Sequence, residues 1–99
     1  MSKLHEILED QLAEAKAKAG QTVVRKLYKG LRIELLSTTG QIALTITRDD
    51  KFPSLEEWET VTRHFPYQVP KVIPAPEQKG SRYTISARFA SQSIMQMKF

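Results

Sequence analysis

The sequence predicts an α+β fold: a two-layer sandwich with an antiparallel sheet of about four strands and two helices on one face, in the order α-β-β-β-α-β. Two segments repeat their apolar residues at helical spacing, and three others alternate apolar with polar residues. Alternation of this kind is typical of an antiparallel sheet that is covered on one side. The length suits a single domain over residues 1–99.

The first helix is predicted over residues 3–19. Its apolar residues are spaced at intervals of three, one and four, which places them on one face of a helix. That face carries Leu4, Ile7, Leu8 and Leu12. Gly20 follows at the position where a left-handed residue commonly ends a helix.

Three strands are predicted next. A strand near residues 22–28 is followed by Gly30, which indicates a bulge or bend. Residues 31–36 and 42–47 then alternate around a short turn that contains Gly40, which predicts an antiparallel hairpin.

The second helix has the clearest start signal in the chain. Ser54 and Glu57 match the S-x-x-E capping box, in which each residue satisfies the backbone amide of the other. Pro66 disfavours helical geometry at the preceding residue, so we expect the helix to end near His64. Trp58 is expected between this helix and the sheet.

The remainder is predicted as a proline-rich crossing and one further strand. Residues 66–80 contain four prolines and are expected to be extended, neither helix nor central strand. Residues 81–89 alternate again and predict a strand. The tail over residues 90–99 fits a strand, a short helix or a disordered end equally well.

The outer face of the sheet, which we define as the face turned away from the helices, is expected to be basic and rich in hydroxyl groups. The residues predicted there are Arg32, Glu34, Leu36, Ala43, Thr45, Thr47, Arg82, Thr84, Ser86 and Arg88. The helical segments are acidic, so the excess positive charge lies in the strands and the crossing.

Composition excludes several classes of protein. The chain has no cysteine, which removes disulfides, thiolate metal sites and cysteine nucleophiles. No apolar run approaches the roughly 20 residues of a membrane span. Glu6, Glu9 and Asp10 interrupt the N-terminal segment where a signal peptide would be apolar. We therefore expect a cytoplasmic protein with no membrane partner.

The sequence also favours a role other than catalysis. His5 and His64 lie in helix turns where structural or solvent contacts explain them, and no nucleotide-binding or hydrolase motif occurs. Asp49-Asp50 is interpreted as a turn, and Glu56-Glu57 as a capped helix start. We expect no cofactor and no metal, and no small-molecule ligand is evident.

Basic residues from neighbouring strand segments suggest a polyanion-binding surface. The candidates are Arg25, Lys26, Lys29, Arg32, Arg48, Arg82 and Arg88. Such a surface would bind the phosphates of single-stranded nucleic acid. Glu34 interrupts the patch, and Tyr28 is the one candidate for base stacking. The alternative hypothesis is that the same residues form a solvated basic face that binds no ligand.

The function predicted first is a small interaction module that forms a homodimer. Leu36 and Ala43 on the outer face favour back-to-back pairing of two sheets, while an edge strand favours extension of one sheet across a two-fold axis. Nucleic-acid binding is the alternative. An enzyme whose site is completed at the dimer interface is a third reading.

Overall fold

The predicted order of elements is confirmed, with one short strand added. The computed structural model describes residues 3–28, 30–66, 69 and 74–90, and of Tyr28 only the backbone. The helices are α1 (Lys3–Ala17) and α2 (Leu55–His64). The strands are β1 (Thr22–Tyr28), β2 (Leu31–Thr38), β3 (Gln41–Arg48), β4 (Glu77–Lys79) and β5 (Arg82–Ala90).

The strands form one antiparallel sheet in the order β1-β2-β3-β5-β4. Residues 66–80 are predicted to form neither a helix nor a central strand, and β4 agrees with this because it is a short strand at the sheet edge. It brings the sheet to five strands, one more than predicted. Gly80 adopts a φ of +63°, which starts a tight turn with Ser81 and returns the chain onto β5. The bend predicted at Gly30 is confirmed, because Gly30 lies in the turn between β1 and β2 with a φ of +85°. A separate irregularity of the strand register lies between Lys26 and Tyr28.

The apolar side of the sheet forms the core because alternate residues of each strand point to the same face. Ile33, Ile46 and Ile85 lie opposite one another on β2, β3 and β5 and are buried. Trp58 of α2 is 2% exposed and belongs to the same core cluster. The predicted position of the tryptophan is confirmed.

Helix α1 covers β1 and β2 with the face that carries Leu8 and Leu12. The same face also buries Gln11, whose Nε2 donates to Val23 O and to Ile33 O, both at 2.8 Å. The helix ends two residues earlier than residue 19. Gly20, with a φ of +88°, then donates its N–H to Ser37 O of β2 at 2.8 Å.

Helix α2 has the capping box that the sequence predicts. The Glu57 amide donates to Ser54 Oγ at 3.0 Å, and the Ser54 amide donates to Glu57 Oε1 at 2.9 Å. At the other end, the rings of Phe65 and Phe89 meet edge to face at 5.9 Å, and His5 Nδ1 lies 3.1 Å from His64 O. Both helices therefore lie on the inner face of the sheet.

Two predicted segments lie wholly or partly outside the residues that the structure describes. The tail lies outside them from residue 91, as do residues 67–68 and 70–73 of the crossing. Val69 is described and packs against the core.

Candidate functional site

The outer face of the sheet is a grid set by the strand register. Its middle row brings Glu34, Thr45 and Ser86 side by side on β2, β3 and β5. A second row brings Arg32, Thr47 and Thr84 side by side. The predicted basic and hydroxyl-rich character of this face follows from these two rows together with Arg82, Arg88 and Lys79.

The structure gathers four of the seven predicted cations on this face. They are Lys26, Arg32, Arg82 and Arg88. Arg25 and Arg48 instead point to the inner face, where they pair with Ile33 and Leu31 in the strand register. Lys29 and the side chain of Tyr28 lie outside the described residues. The seven residues therefore do not form one cationic surface.

The two-residue period of the strands already distinguishes the inward-facing Arg25 and Arg48 from the cations of the outer face. Arg48 has the same parity as the buried Ile46, and Arg25 has the same parity as the buried Val23. Because successive side chains of a strand point to opposite faces, both arginines had to face the helices. Lys79 was missed as an outer-face cation because β4 was not predicted.

Arg48 lies at the end of β3 beneath the start of α2. Its Nη1 donates to Glu57 Oε2 at 2.5 Å, and its Nε and Nη2 donate to the two carboxylate oxygens of Asp50 at 3.0 and 3.1 Å. Hydrogen bonding from Arg48 holds the pKa of the Asp50 carboxyl below its usual value. This cluster joins the hairpin to the capped helix, so Arg48 is committed to the fold.

Arg25 lies between the edge strand β1 and helix α1. Its Nη2 donates to Glu14 and lies 3.5 Å from Asp10 Oδ2. The hydrogen bond from Arg25, followed by one from Lys18, holds the pKa of the Glu14 carboxyl below its usual value. These contacts explain why Arg25 is unavailable as part of a phosphate-binding face.

Two of the outer-face cations already have carboxylate partners. Arg32 forms a bidentate pair with Asp49 at 2.8 and 3.0 Å, and this pairing lowers the pKa of the Asp49 carboxyl. Arg82 Nη1 lies 3.5 Å from Glu34 Oε2, which is too long for a good hydrogen bond. Arg88 and Lys26 make no ion pair within the described part of the chain.

The two edges of the sheet differ in length and character. Strand β4 has three residues, all exposed, and two of them, Glu77 and Lys79, are charged. Strand β1 has seven residues, and Val24 in its middle is 44% exposed. Short charged strands discourage pairing with another chain, whereas long strands with exposed apolar residues invite it.

The free side of β1 can be identified from hydrogen bonds. Gln11 Nε2 reaches both Val23 O and Ile33 O, so the Val23 carbonyl points between β1 and β2. Backbone groups of adjacent residues point to opposite sides of a strand, which turns those of Thr22, Val24 and Lys26 to the open edge. In agreement, Val24 O accepts from the Arg25 side chain at 3.2 Å.

A groove of about 280 Å³ runs beside this edge, between α1 and β1. Its lining carries charges of both signs around one apolar residue, Ile7. The charged residues are Lys3, Glu6, Asp10, Arg25 and Lys26.

The histidines lie at the contact between the two helices. His5 Nε2 is 3.1 Å from Glu9 Oε2 within α1, and His64 Nδ1 is 2.9 Å from Thr60 O within α2. In the described ranges, no group of three or more histidine, aspartate or glutamate residues is placed to hold a metal ion. Nor does any described helix have the length and apolar character to cross a membrane.

Fold and surfaces together define a small α+β domain with one long sheet edge that no described strand covers and one mixed-charge outer face. Comparison with protein-family models, curated protein sequences and solved structures finds no match to this chain. Its function is therefore inferred from the chemistry of its own residues.

Proposed function

We propose that this protein is a non-enzymatic interaction module that forms a homodimer by pairing strand β1 with β1 of a second copy. The observation that carries the proposal is the open, seven-residue edge with its exposed Val24. An antiparallel pair centred on Val24 sets that residue against itself and Thr22 against Lys26 of the second copy. The backbone groups of all three positions then gain hydrogen-bond partners, and the two sheets become one.

Charge beside the edge supports a second copy as the partner. A two-fold interface needs a surface that is complementary to itself. The groove next to β1 carries both Glu6 and Asp10 as acids and Lys3 and Lys26 as bases, so two copies can match opposite charges. The single-sign surface that a polyanion requires is absent from this groove.

Replacement of Val24 by proline tests the proposal. Proline removes the N–H that points to the open edge, and proline is tolerated on edge strands when that N–H makes no bond within the sheet. We expect V24P to fold and to raise the dissociation constant of the dimer about tenfold or more, because hydrogen bonds across the two-fold axis are lost. Size-exclusion chromatography with light scattering over a range of concentrations measures this.

Two further variants make the test specific. V24T keeps the N–H and a β-branched side chain, so it should retain the dimer. L55K adds a charge at Leu55, an exposed residue of α2 remote from β1, and should also retain it. Circular dichroism confirms that each variant is folded. A wild-type protein that is monomeric at its highest soluble concentration contradicts the proposal.

Nucleic-acid binding is the second candidate, and the clustering of Lys26, Arg32, Arg82 and Arg88 on one face is the observation that favours it. Single strands bound by these cations should dissociate as salt rises, since binding releases counterions. Fluorescence anisotropy of a labelled oligonucleotide at low and high salt measures this. An absence of salt-sensitive binding at micromolar protein eliminates the candidate.

A cytoplasmic location remains a prediction from the charged N-terminal segment. It is independent of the surfaces described above.

A further inference from the structure

A hollow of about 200 Å³ lies on the outer face between β2 and β4. Its floor consists of two cross-strand pairs of hydroxyl residues, Thr47 with Thr84 and Thr45 with Ser86. The second pair is closed by a hydrogen bond of 2.8 Å between Thr45 Oγ1 and Ser86 Oγ. Thr84 Oγ1 donates to Glu77 O at 3.4 Å, so the floor carries hydroxyl groups from two adjacent strands, some of which already donate within the sheet.

Two cations and one acid line the hollow, and a second acid, Glu77, lies beside it opposite Thr84. Arg82 and Lys79 face each other across β5 and β4, and Glu34 lies on the β2 side. Arg82 belongs to β5 and Glu34 to β2, so the guanidinium crosses over β3 to approach the carboxylate. Lys79 has an equally loose contact, 4.0 Å from Glu77 Oε1. Neither cation is held by a short ion pair within the described residues.

Thr47 is the feature of the hollow that requires an explanation. Although it points away from the core, it is 0% exposed, and its Oγ1 makes no hydrogen bond within the described residues. A buried hydroxyl without a partner costs free energy, and such groups in folded proteins often mark a place for a water or an ion. In the strand register Thr47 lies between Arg82 of β5 and Glu34 of β2, so a partner for its hydroxyl would lie near the Arg82–Glu34 contact.

We propose that this hollow binds a small tetrahedral oxyanion, of which phosphate is the representative. Arg82 turns from Glu34 to the anion, Lys79 donates from the opposite side, and the uncovered Thr47 hydroxyl donates from the floor. Phosphate suits these groups because its oxygens accept several hydrogen bonds at once and favour charged donors. Glu34 holds Arg82 in the empty site and opposes the anion, so it limits affinity.

The proposed site predicts opposite changes in phosphate affinity for substitutions at Glu34 and Arg82. E34Q should tighten phosphate binding several-fold, because it releases Arg82 and removes a repelling charge. R82Q should weaken binding about tenfold or more, which is the usual effect of losing a hydrogen bond to a charged group. T47V should weaken binding without loss of stability, since the hydroxyl that it removes makes no hydrogen bond in the empty site.

Amide chemical shifts in a titration with inorganic phosphate measure these effects, with chloride at matched ionic strength as the reference. The matched control is R88Q, which removes the same charge from the same face outside the hollow. We expect shifts centred on Thr47, Thr84 and Ser86 that R88Q leaves unchanged. Equal shifts in chloride, or equal weakening by R88Q and R82Q, overturn the proposal.

A second arm distinguishes a free phosphate from a phosphate of nucleic acid. A single-stranded oligonucleotide that competes for the same shifts identifies the backbone of a nucleic acid as the source. Phosphate binding without such competition identifies a small phosphate compound. The hollow is lined by residues of β2, β3, β5 and β4, and its Glu34 lies opposite Val24 in the strand register. The two proposals are therefore distinguished by their readouts, which are the oligomeric state for the dimer and the amide chemical shifts for the phosphate site.

Discussion

Arg48 is a charged residue that the fold places almost entirely inside. Its side chain is 9% exposed, and that of its partner Glu57 is 15% exposed. The two carboxylate oxygens of Glu57 accept different hydrogen bonds: Oε1 accepts from the Ser54 amide, and Oε2 accepts from Arg48. Removing one member of such a pair leaves the other desolvated without its partner, which costs more than the pair itself contributes.

The substitution R48Q tests this commitment to the fold. We expect it to lower the free energy of unfolding by about 3 kcal/mol, because Glu57 stays largely buried after its partner is lost. R32Q is the matched control, since it breaks an arginine–carboxylate pair whose Asp49 is exposed to water. Urea unfolding measures both, and the loss in R32Q should be much smaller. Equal losses would contradict the role assigned to Arg48.

At the scale of elements, two different interactions connect α1 to β1. Gln11 donates to carbonyls on β1 and β2 from within the core, whereas Arg25 pairs with Glu14 at the surface. The first is independent of pH because an amide does not titrate. The second depends on the ionised carboxylate, so it weakens in acid.

The stabilisation by the Arg25–Glu14 pair changes with pH in a defined direction. The folded-state pKa of Glu14 is lowered from 4.5, mainly by the hydrogen bond from Arg25. The resulting stabilisation is therefore full above the unfolded-state pKa and is lost as pH falls through the lower folded-state value. We expect R25Q to be less stable than wild type at pH 7, and the difference to shrink at about pH 3.

Urea midpoints at the two pH values measure that difference. R63Q removes a charge from an exposed position on α2 and serves as the control, with a small change at either pH. A difference between R25Q and wild type that persists unchanged at low pH would show that Arg25 acts through packing alone.

The elements that depend on local signals were predicted from the sequence, and those that depend on distant contacts were not. The capping box at Ser54 and the alternation in β2 and β3 are local, and all three elements were predicted within a few residues. Strand β4 is an exception, because its turn at Gly80 and Ser81 is a local signal that the prolines of residues 66–80 obscure. The burial of Gln11 depends on carbonyls of β1 and β2, and its position on α1 does not reveal them.

At the scale of the whole molecule, the candidate surfaces were predictable only in part. The outer face was predicted residue by residue because the strand period alone defines it. The same two-residue period also indicates that Arg25 and Arg48 do not lie on that face. The hollow was not, since it requires the register that brings Arg82 towards Glu34 across an intervening strand.

The difference between the two sheet edges limits how far an assembly of this chain can grow. A filament needs two adhesive edges on every molecule, so that each copy adds to the last. Here β1 is long and open while β4 is short and charged. In the homodimer that we propose, pairing of β1 with β1 would use the long edge of both copies and leave only the short charged β4 edges outside, which disfavour the addition of a third molecule. Strand addition would then stop at two copies, and the protein would not polymerise as its concentration rises.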